Sequence, residues 1–572
     1  MIGKFSRRDF LRMTAIGAAA AVAGCGAPPT EVPTGVPTEV SEEPTAAPKP
    51  VVQLEHDPRR YLMDPLIDPP RYYEPMLTIT QNKVMNQGMV FREGETIEDN
   101  VGSRYIKAIM GIDYKIAWAC KGETCDQAWA TMLASGDIPD YLEWVAGQYL
   151  GQLMAADLLQ DLTDLFPKYA SALTLKKKEW PDSVIWKPLT RDGRIYGIAF
   201  PNMGVAALEM LLWVRKDWLD RLGLSMPGTL DEIYDVAKAF IQEGLAPIGF
   251  SAAGESGVVD WQSSLDPIFG AFGVMPTYWL KDDKGGLVYG STLPENKEAL
   301  QVLQKWYKDG VLEAEFMTKG AAKAAENIAG NIAGMFFGPY WTPEWPLVDS
   351  ARNDPSVVWD FGDVPAGPDG TRGRAGFKMA YFGSCFRKGV EEAKVEAVIN
   401  HLNWIYDMRE ASPLGDHWQI EGYDYVIENG EAKTGQFDTT VMEPGPGYPT
   451  YYYPAMAADK NAKIEILLKK DPQTLNPVER WRVSDPTGVA QRAAYARIIE
   501  TLDYALTDEY VGPPTPTQTE KGAFLDKLED EAYIQIITGQ RAVGEHDRFV
   551  EEWKANGGDQ LTQEVNEWYA SL

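Results

Sequence analysis

Nucleophilic catalysis by serine or cysteine needs a base beside the attacking group, and this chain offers few bases of the usual kind. Its 572 residues include only four histidines, His56, His401, His417 and His546. No Gly-x-Ser-x-Gly elbow is present to expose a serine at a sharp turn. Metal chemistry has no better support: there is no His-Glu-x-x-His, and Cys120 and Cys125 lack a second pair. Neither a Walker loop nor a dinucleotide fingerprint occurs. The 83 acidic residues always offer carboxylate pairs, but a glycosidase needs two facing a sugar at a set distance, and no pair stands out. Flat rings are what the chain has in surplus: 18 Trp, 27 Tyr and 19 Phe. Tryptophan is a costly core filler because its N–H needs a partner, so an excess hints at stacking surfaces. The expected chemistry is binding without turnover, with no catalytic residue, metal or cofactor.

Composition narrows the partners. The formal charge is −29, a field that repels phosphate backbones and argues against nucleic acid. It argues equally against docking on anionic lipid through a basic face. Hydrophobic residues are 45% and charged residues 24%, ordinary for a folded globular protein. The length predicts three or four structural units, or two large lobes.

The first fifty residues read as an address and a tether. Ser6–Arg12, with Arg7 and Arg8, is a twin-arginine export signal. The apolar run Met13–Gly24 is too short to span a bilayer and suits a signal-peptide core. It ends in Val22-Ala23-Gly24-Cys25, which resembles a bacterial lipobox. That assigns residues 1–24 to a signal peptide and Cys25 to lipidation, with residues 25–72 as a Pro/Thr-rich tether. Residues 26–50 hold seven Pro, four Thr and no aromatic residue, so they have little apolar surface to bury. No later run of 18 apolar residues occurs. In an exported protein, Cys120 and Cys125 form either a local disulfide or two unpaired thiols, since spacing alone does not fix the geometry. Cys385, in an apolar stretch, reads as a buried small hydrophobe.

The elements behind the tether are those of an α/β protein. Met76–Thr80 and Tyr114–Ala119 read as strands, with a helix over Asn100–Met110 between them. Thr229 with Glu232 forms a capping box before an apolar helical face, and Thr292 with Glu295 forms a second. The latter helix ends at Gly310. Residues 278–289 read as a hairpin around a polar turn, and Val395–Ile405 as a further helix. Residues 411–480 look like an insertion rich in Gly, Pro and Tyr, and three helices close the chain.

Five segments carry a family resemblance: Leu133–Asp140 (LASGDIPD), Asp192–Pro201 (DGRIYGIAFP), Leu212–Leu224 (LWVRKDWLDRLGL), Gly334–Trp341 (GMFFGPYW) and Phe549–Gly558 (FVEEWKANGG). In this order, behind a lipobox and tether, they resemble the extracellular solute-binding proteins of ABC importers, in the maltose-binding-like family, and most of all its large oligosaccharide-binding lipoproteins. The resemblance implies a type II periplasmic-binding-protein fold: two α/β lobes joined by crossing segments, with ligand closed between them. Pro201–Gly204 resembles the first crossing and Tyr381–Phe386 the return. The first lobe is then residues 73–203 plus 363–386. The second is 204–362 plus 387–572, carrying the 411–480 insertion and the C-terminal helices.

Ligand positions follow from the same resemblance: Trp144, Gln148, Asn202, Asp260, Trp261, Tyr340, Trp341, Trp345 and Trp418. Aromatic planes would take the C–H face of a sugar, and amide and carboxylate groups its hydroxyls. Gly147-Gln148 lacks the Asp/Arg pair some relatives carry, which argues against maltodextrin. Core packing is the alternative role for each tryptophan, and helix capping for Asp260. Some large relatives carry a calcium loop at the position of Ile241–Gly249, but too few hard oxygen ligands remain here for such a cage. The expected protein is a monomer, exported and lipid-anchored on the outer face of the cytoplasmic membrane. It would bind an oligosaccharide and deliver it to the membrane permease subunits of an ABC transporter. A surface-anchored glycosidase and an oligopeptide receptor are the alternatives.

Overall fold

A computed structural model describes residues 69–85, 91, 93–121, 124–145, 147–178, 184–199, 209–376, 383–411, 425–434 and 462–571. The export signal, most of the tether, Cys25, Asn202, Trp418, the first crossing and the start of the return at Tyr381 lie outside the described residues.

Two sheets organise the chain. Their strands, in chain order, are β1 (Leu77–Met85), β2 (Ile112–Lys121), β3 (Tyr141–Val145), β4 (Ile198–Ala199), β5 (Leu211–Arg215), β6 (Ile248–Phe250), β7 (Ala333–Gly338), β8 (Trp359–Gly362) and β9 (Gly383–Phe386). The first sheet has the order β2-β1-β3-β9-β4, and the second β8-β5-β7-β6. β1 runs parallel to β2 and β3, while β9 is antiparallel to β3 and β4. In the second sheet β7 is parallel to β6 and antiparallel to β5. β5 and β7 are buried throughout, as expected for strands covered on both faces.

The helices used below are α1 (Val101–Met110), α2 (Gly147–Ala155), α3 (Leu230–Gln242), α4 (Asn296–Lys308), α5 (Ala321–Ala329), α6 (Glu392–Ala411), α7 (Pro486–Glu500), α8 (Pro516–Ile537), α9 (Glu545–Trp553) and α10 (Asp559–Ala570). Local rules explain several starts. Asn100 caps α1, accepting from the Gly102 and Ser103 amides, and Gly111 ends it with φ 68°. The Thr229–Glu232 capping box opens α3 as the sequence predicts. The Thr292–Glu295 box does not form. Thr292 instead donates its hydroxyl to the Tyr289 carbonyl at 2.7 Å, and α4 starts at Asn296 without a side-chain cap. A short 3-10 turn over Gly290–Thr292 intervenes and takes up the hydroxyl.

Each sheet has its own core. In the first lobe Ile79, Tyr105, Tyr114, Leu142, Leu150, Phe166, Ile198 and Phe386 pack with Val395, Val398, Leu402 and Trp404 of α6. In the second, Leu212, Phe240, Phe269, Leu300 and Phe337 pack with Leu525, Tyr533, Phe549, Trp553 and Val565 of the last three helices. The far face of the second sheet is covered by α7, with Trp213, Phe336 and Tyr340 against Ile498 and Tyr495.

These cores correct two of the expected boundaries. Residues 392–411 belong to the first lobe, because α6 buries its apolar face there. Residues 363–376 belong to the second, where Val364 is core and Ala375 packs on Tyr278. The described parts of the 411–480 insertion form an antiparallel hairpin, Tyr425–Glu428 with Glu431–Thr434, over a small core of Leu467, Leu475 and Val478. Cys120 and Cys125 are disulfide-bonded, at the end of β2 and the start of the following helix. Cys385 is a buried free thiol.

The lobes meet where α2 passes the start of α8. Gly151 is buried there. A Cβ on it would lie 2.8 Å from Thr519 Oγ1 and 3.1 Å from Pro514 Cβ. Nearby, Lys187 Nζ of the first lobe sits 5.7 Å from the Trp568 ring centre.

Candidate functional site

In open α/β sheets, ligands bind outside the carboxyl ends of the strands. In the second sheet the parallel neighbours β6 and β7 run side by side, with Met335 in register with Phe250, the last residue of β6, and β7 continuing to Gly338. Each releases a tryptophan-bearing loop.

The loop after β6 is folded on itself. The Ala253 amide donates to Ser263 O at 2.8 Å and the Leu265 amide to Val258 O at 3.0 Å. The Asp260 amide donates to Ser264 Oγ at 3.1 Å. Ser263 takes up a left-handed φ of 54°, a conformation that costs a non-glycine residue about 1–2 kcal/mol. The result raises Trp261 to the surface with 40% of its area exposed. The loop after β7 turns at Pro339, with the Thr342 amide donating to Pro339 O at 3.1 Å and the Glu344 amide to Trp341 O at 2.9 Å. It carries Trp341 and Trp345, both half-buried.

The two loops bring three indoles together. Trp261 stacks on Trp341 at 5.9 Å between ring centres, with 26° between planes. It stacks on Trp345 at 5.7 Å and 22°. Three near-parallel indoles, with 40% of Trp261 exposed, make an apolar platform, which a sugar ring's C–H face fits.

Asp260 directly precedes Trp261 and is tied to its backbone. Its Oδ1 accepts the Trp261 amide at 2.7 Å. Burial pushes its carboxyl up to about 6, against the pull of the Trp261 and Ala321 amides. Ala321 is the first residue of α5, so the Asp260 carboxyl also meets the start of that helix. Tyr340 faces the other way. It is 8% exposed, edge-on to Tyr495 of α7 at 5.2 Å, and part of the far-face core. A ligand role for Tyr340 is corrected to a packing role, because β7 alternates its faces and Tyr340 follows onto the α7 side.

The first lobe holds a buried polar cluster in its sheet. Gln81, Asn82, Lys83 and Glu143 are all fully buried near the carboxyl ends of β1 and β3. Lys83 Nζ lies 3.1 Å from Glu143 Oε2. Trp144 follows, half-buried and with a left-handed φ of 52°. The side chain of Gln148 lies outside the described residues. Sequence reasoning missed the Lys83–Glu143 pair. The available signal was the polar run Gln81-Asn82-Lys83, which breaks the alternation of β1 inside a covered parallel sheet, where polar side chains need a reason.

Buried charge also brackets the crossings. Lys178 Nζ, within the first lobe, donates to Ala199 O at 2.6 Å, just before the first crossing. Burial lowers its amine to about 7. In the second lobe, Glu209, just after that crossing, accepts from Arg374, just before the return. Arg374 also donates to the Ile498 and Thr501 carbonyls. The two described histidines serve packing. His401 meets the Tyr114 hydroxyl at 3.2 Å, and His546 meets Ser291 O at 3.0 Å. No cluster of three metal-binding side chains occurs among the described residues, and no described helix is long and apolar enough to cross a membrane.

The sequence matches the family of bacterial extracellular solute-binding proteins over residues 112–402, more than half the chain. The chain belongs to that family. As a solute-binding protein it is similar to the polygalacturonan/rhamnogalacturonan-binding protein YtcQ of Bacillus subtilis, 24% identical across 81% of this chain and 86% of that one. It is similar also to lipoprotein LipO of the same organism, 23% identical across 81% and 87%. Its fold resembles the crystal structure of alginate-binding protein AlgQ2, with a TM-score of 0.62 at 17% identity, covering 88% of this chain and all of that one. It also resembles the substrate-binding protein FusA of S. pneumoniae in complex with kestose, with a TM-score of 0.59 at 16% identity, covering 86% and 99%. These likenesses place the two lobes of this solute-binding protein within the type II periplasmic-binding-protein fold.

Proposed function

We propose that this solute-binding protein captures an oligosaccharide between its lobes and delivers it to the permease subunits of an ABC importer, held to the outer face of the cytoplasmic membrane by a lipid on Cys25. The observation that carries the ligand class is the platform of Trp261, Trp341 and Trp345 at the carboxyl ends of β6 and β7. Stacking suits sugar faces, whereas peptide capture relies on backbone pairing and end charges. YtcQ is named for binding polygalacturonan and rhamnogalacturonan, and FusA was solved with kestose, which supports an oligosaccharide without choosing one. Trp144 and Asp260 complete the reading, one from each lobe. In this reading the ligand is released unaltered.

A thermal-shift panel of oligogalacturonides, fructo-oligosaccharides, neutral glucans and peptides tests this. Ligand at a hundred times its Kd stabilises the folded state by about 2.7 kcal/mol, a readily visible rise in Tm. A shift with peptides and none with any sugar would reverse the ligand class. Release of reducing ends from a polysaccharide would favour the glycosidase. Loss of membrane retention on Cys25→Ser tests the anchor.

A further inference from the structure

β1 and β3 pair through their backbones at one position, Gln81 with Tyr141. Beyond it a side chain continues the ladder. Asn82 Oδ1 accepts the Glu143 amide at 2.7 Å, and Asn82 Nδ2 donates to the Glu143 carbonyl at 3.1 Å. The Glu143 side chain then reaches back: Oε1 accepts the Val84 amide at 2.9 Å, and Oε2 accepts from Lys83 Nζ at 3.1 Å. Residue 143 is thus gripped at both main-chain atoms and both carboxylate oxygens, with Asn82, Lys83 and Glu143 all fully buried.

The next residue is Trp144, at φ 52°. A bulky side chain avoids this region, and persists there only when its surroundings over-determine it. Here both neighbours are fixed. Residue 143 is held by the grip, and Val145 pairs with Gly383 of β9. Burying two charges is a poor way to gain stability, because desolvation offsets their attraction. A cheaper core would use aliphatic residues, so the arrangement calls for another explanation.

We propose that Asn82 and the Lys83–Glu143 pair are positioning residues that hold Trp144 in its left-handed conformation, and so set the first-lobe face of the ligand site. The part concerning ligand rests on the reading of Trp144 as a ligand contact. The lock itself does not.

A double-mutant cycle in the full chain separates the two. Asn82→Ala lowers Tm in the native background. In a Trp144→Gly background the loss shrinks to about half or less, because glycine adopts the left-handed conformation freely. Equal losses in both backgrounds overturn the lock. Should Asn82→Ala fail to fold, the shape-preserving pair Lys83→Met/Glu143→Gln takes its place in the same cycle. The binding arm titrates oligogalacturonides and fructo-oligosaccharides. Trp144→Ala is expected to weaken binding about tenfold or more, and Asn82→Ala likewise, but by less than about twofold once Trp144 is already alanine. Unchanged affinity in Trp144→Ala overturns the ligand role of that residue while the stability cycle still judges the lock. Equal affinity losses in both backgrounds overturn the positioning role.

Discussion

The indole of Trp261 lies stacked on that of Trp341, their centres 5.9 Å apart and their planes 26° apart, although they come from loops after different strands. Trp261 supports little of the core, since 40% of it is exposed. Trp261→Ala should weaken sugar binding by about 1–3 kcal/mol, read by calorimetric titration, with little change in the ligand-free Tm.

Tyr340, five residues before Trp345, should behave oppositely. It is buried against Tyr495. Tyr340→Ala should cost about 3 kcal/mol or more in urea unfolding. An unchanged urea midpoint, alongside lost affinity, would return Tyr340 to the ligand site.

Burial pushes the Glu529 carboxyl up to about 8, with Ser291 and Tyr289 bonds pulling the other way. An acid whose pKa is raised on folding contributes stability that is fully present below its unfolded value and lost as pH climbs through the folded one. Glu529→Gln, which cannot ionise, should therefore match the native protein near pH 4 and exceed its Tm by several degrees at pH 9. Parallel curves across that range would refute the buried neutral acid.

Arg374 joins Glu209 to the end of α7. Removing one partner of a buried pair leaves the other uncompensated. Arg374→Met should cost about 3–5 kcal/mol in urea unfolding. Arg374→Lys should recover only part, because an ammonium keeps the charge but not the fork that spans carboxylate and carbonyls.

Gly151 sits mid-helix, where glycine is unfavourable by about 1 kcal/mol relative to alanine. The contact with Pro514 and Thr519 explains it. Gly151→Leu should push α2 from α8 and enlarge the radius of gyration in small-angle scattering, without ligand present. An unchanged radius would mean the helices adjust locally.

Much of this was legible where a rule acts over a few residues. The Thr229–Glu232 box, the hairpin around Lys281–Gly286 and the terminal helices follow from caps, turns and periodicity. Thr292–Glu295 has the same letters and does not cap, because a 3-10 turn claims the threonine. Chain order showed that Trp341 and Trp345 share a loop, but not that Trp261 joins them, since that depends on β6 and β7 being neighbours. The lobe assignment of α6 escaped too: its apolar face suits either core, and the expected return at Tyr381–Phe386 does not say whether the helix after it stays in the first lobe; the packing of Val395, Val398, Leu402 and Trp404 does.

That return has a bearing on biosynthesis. Every described residue of the first lobe's core precedes residue 411, whereas the second lobe's core draws on Val565, far later in the chain. Domains tend to fold as they emerge. One half can settle while the ribosome is still at work, and its companion must wait with its sheet uncovered until the final helices arrive. A stalled or clipped chain would therefore yield one finished half and one sticky one.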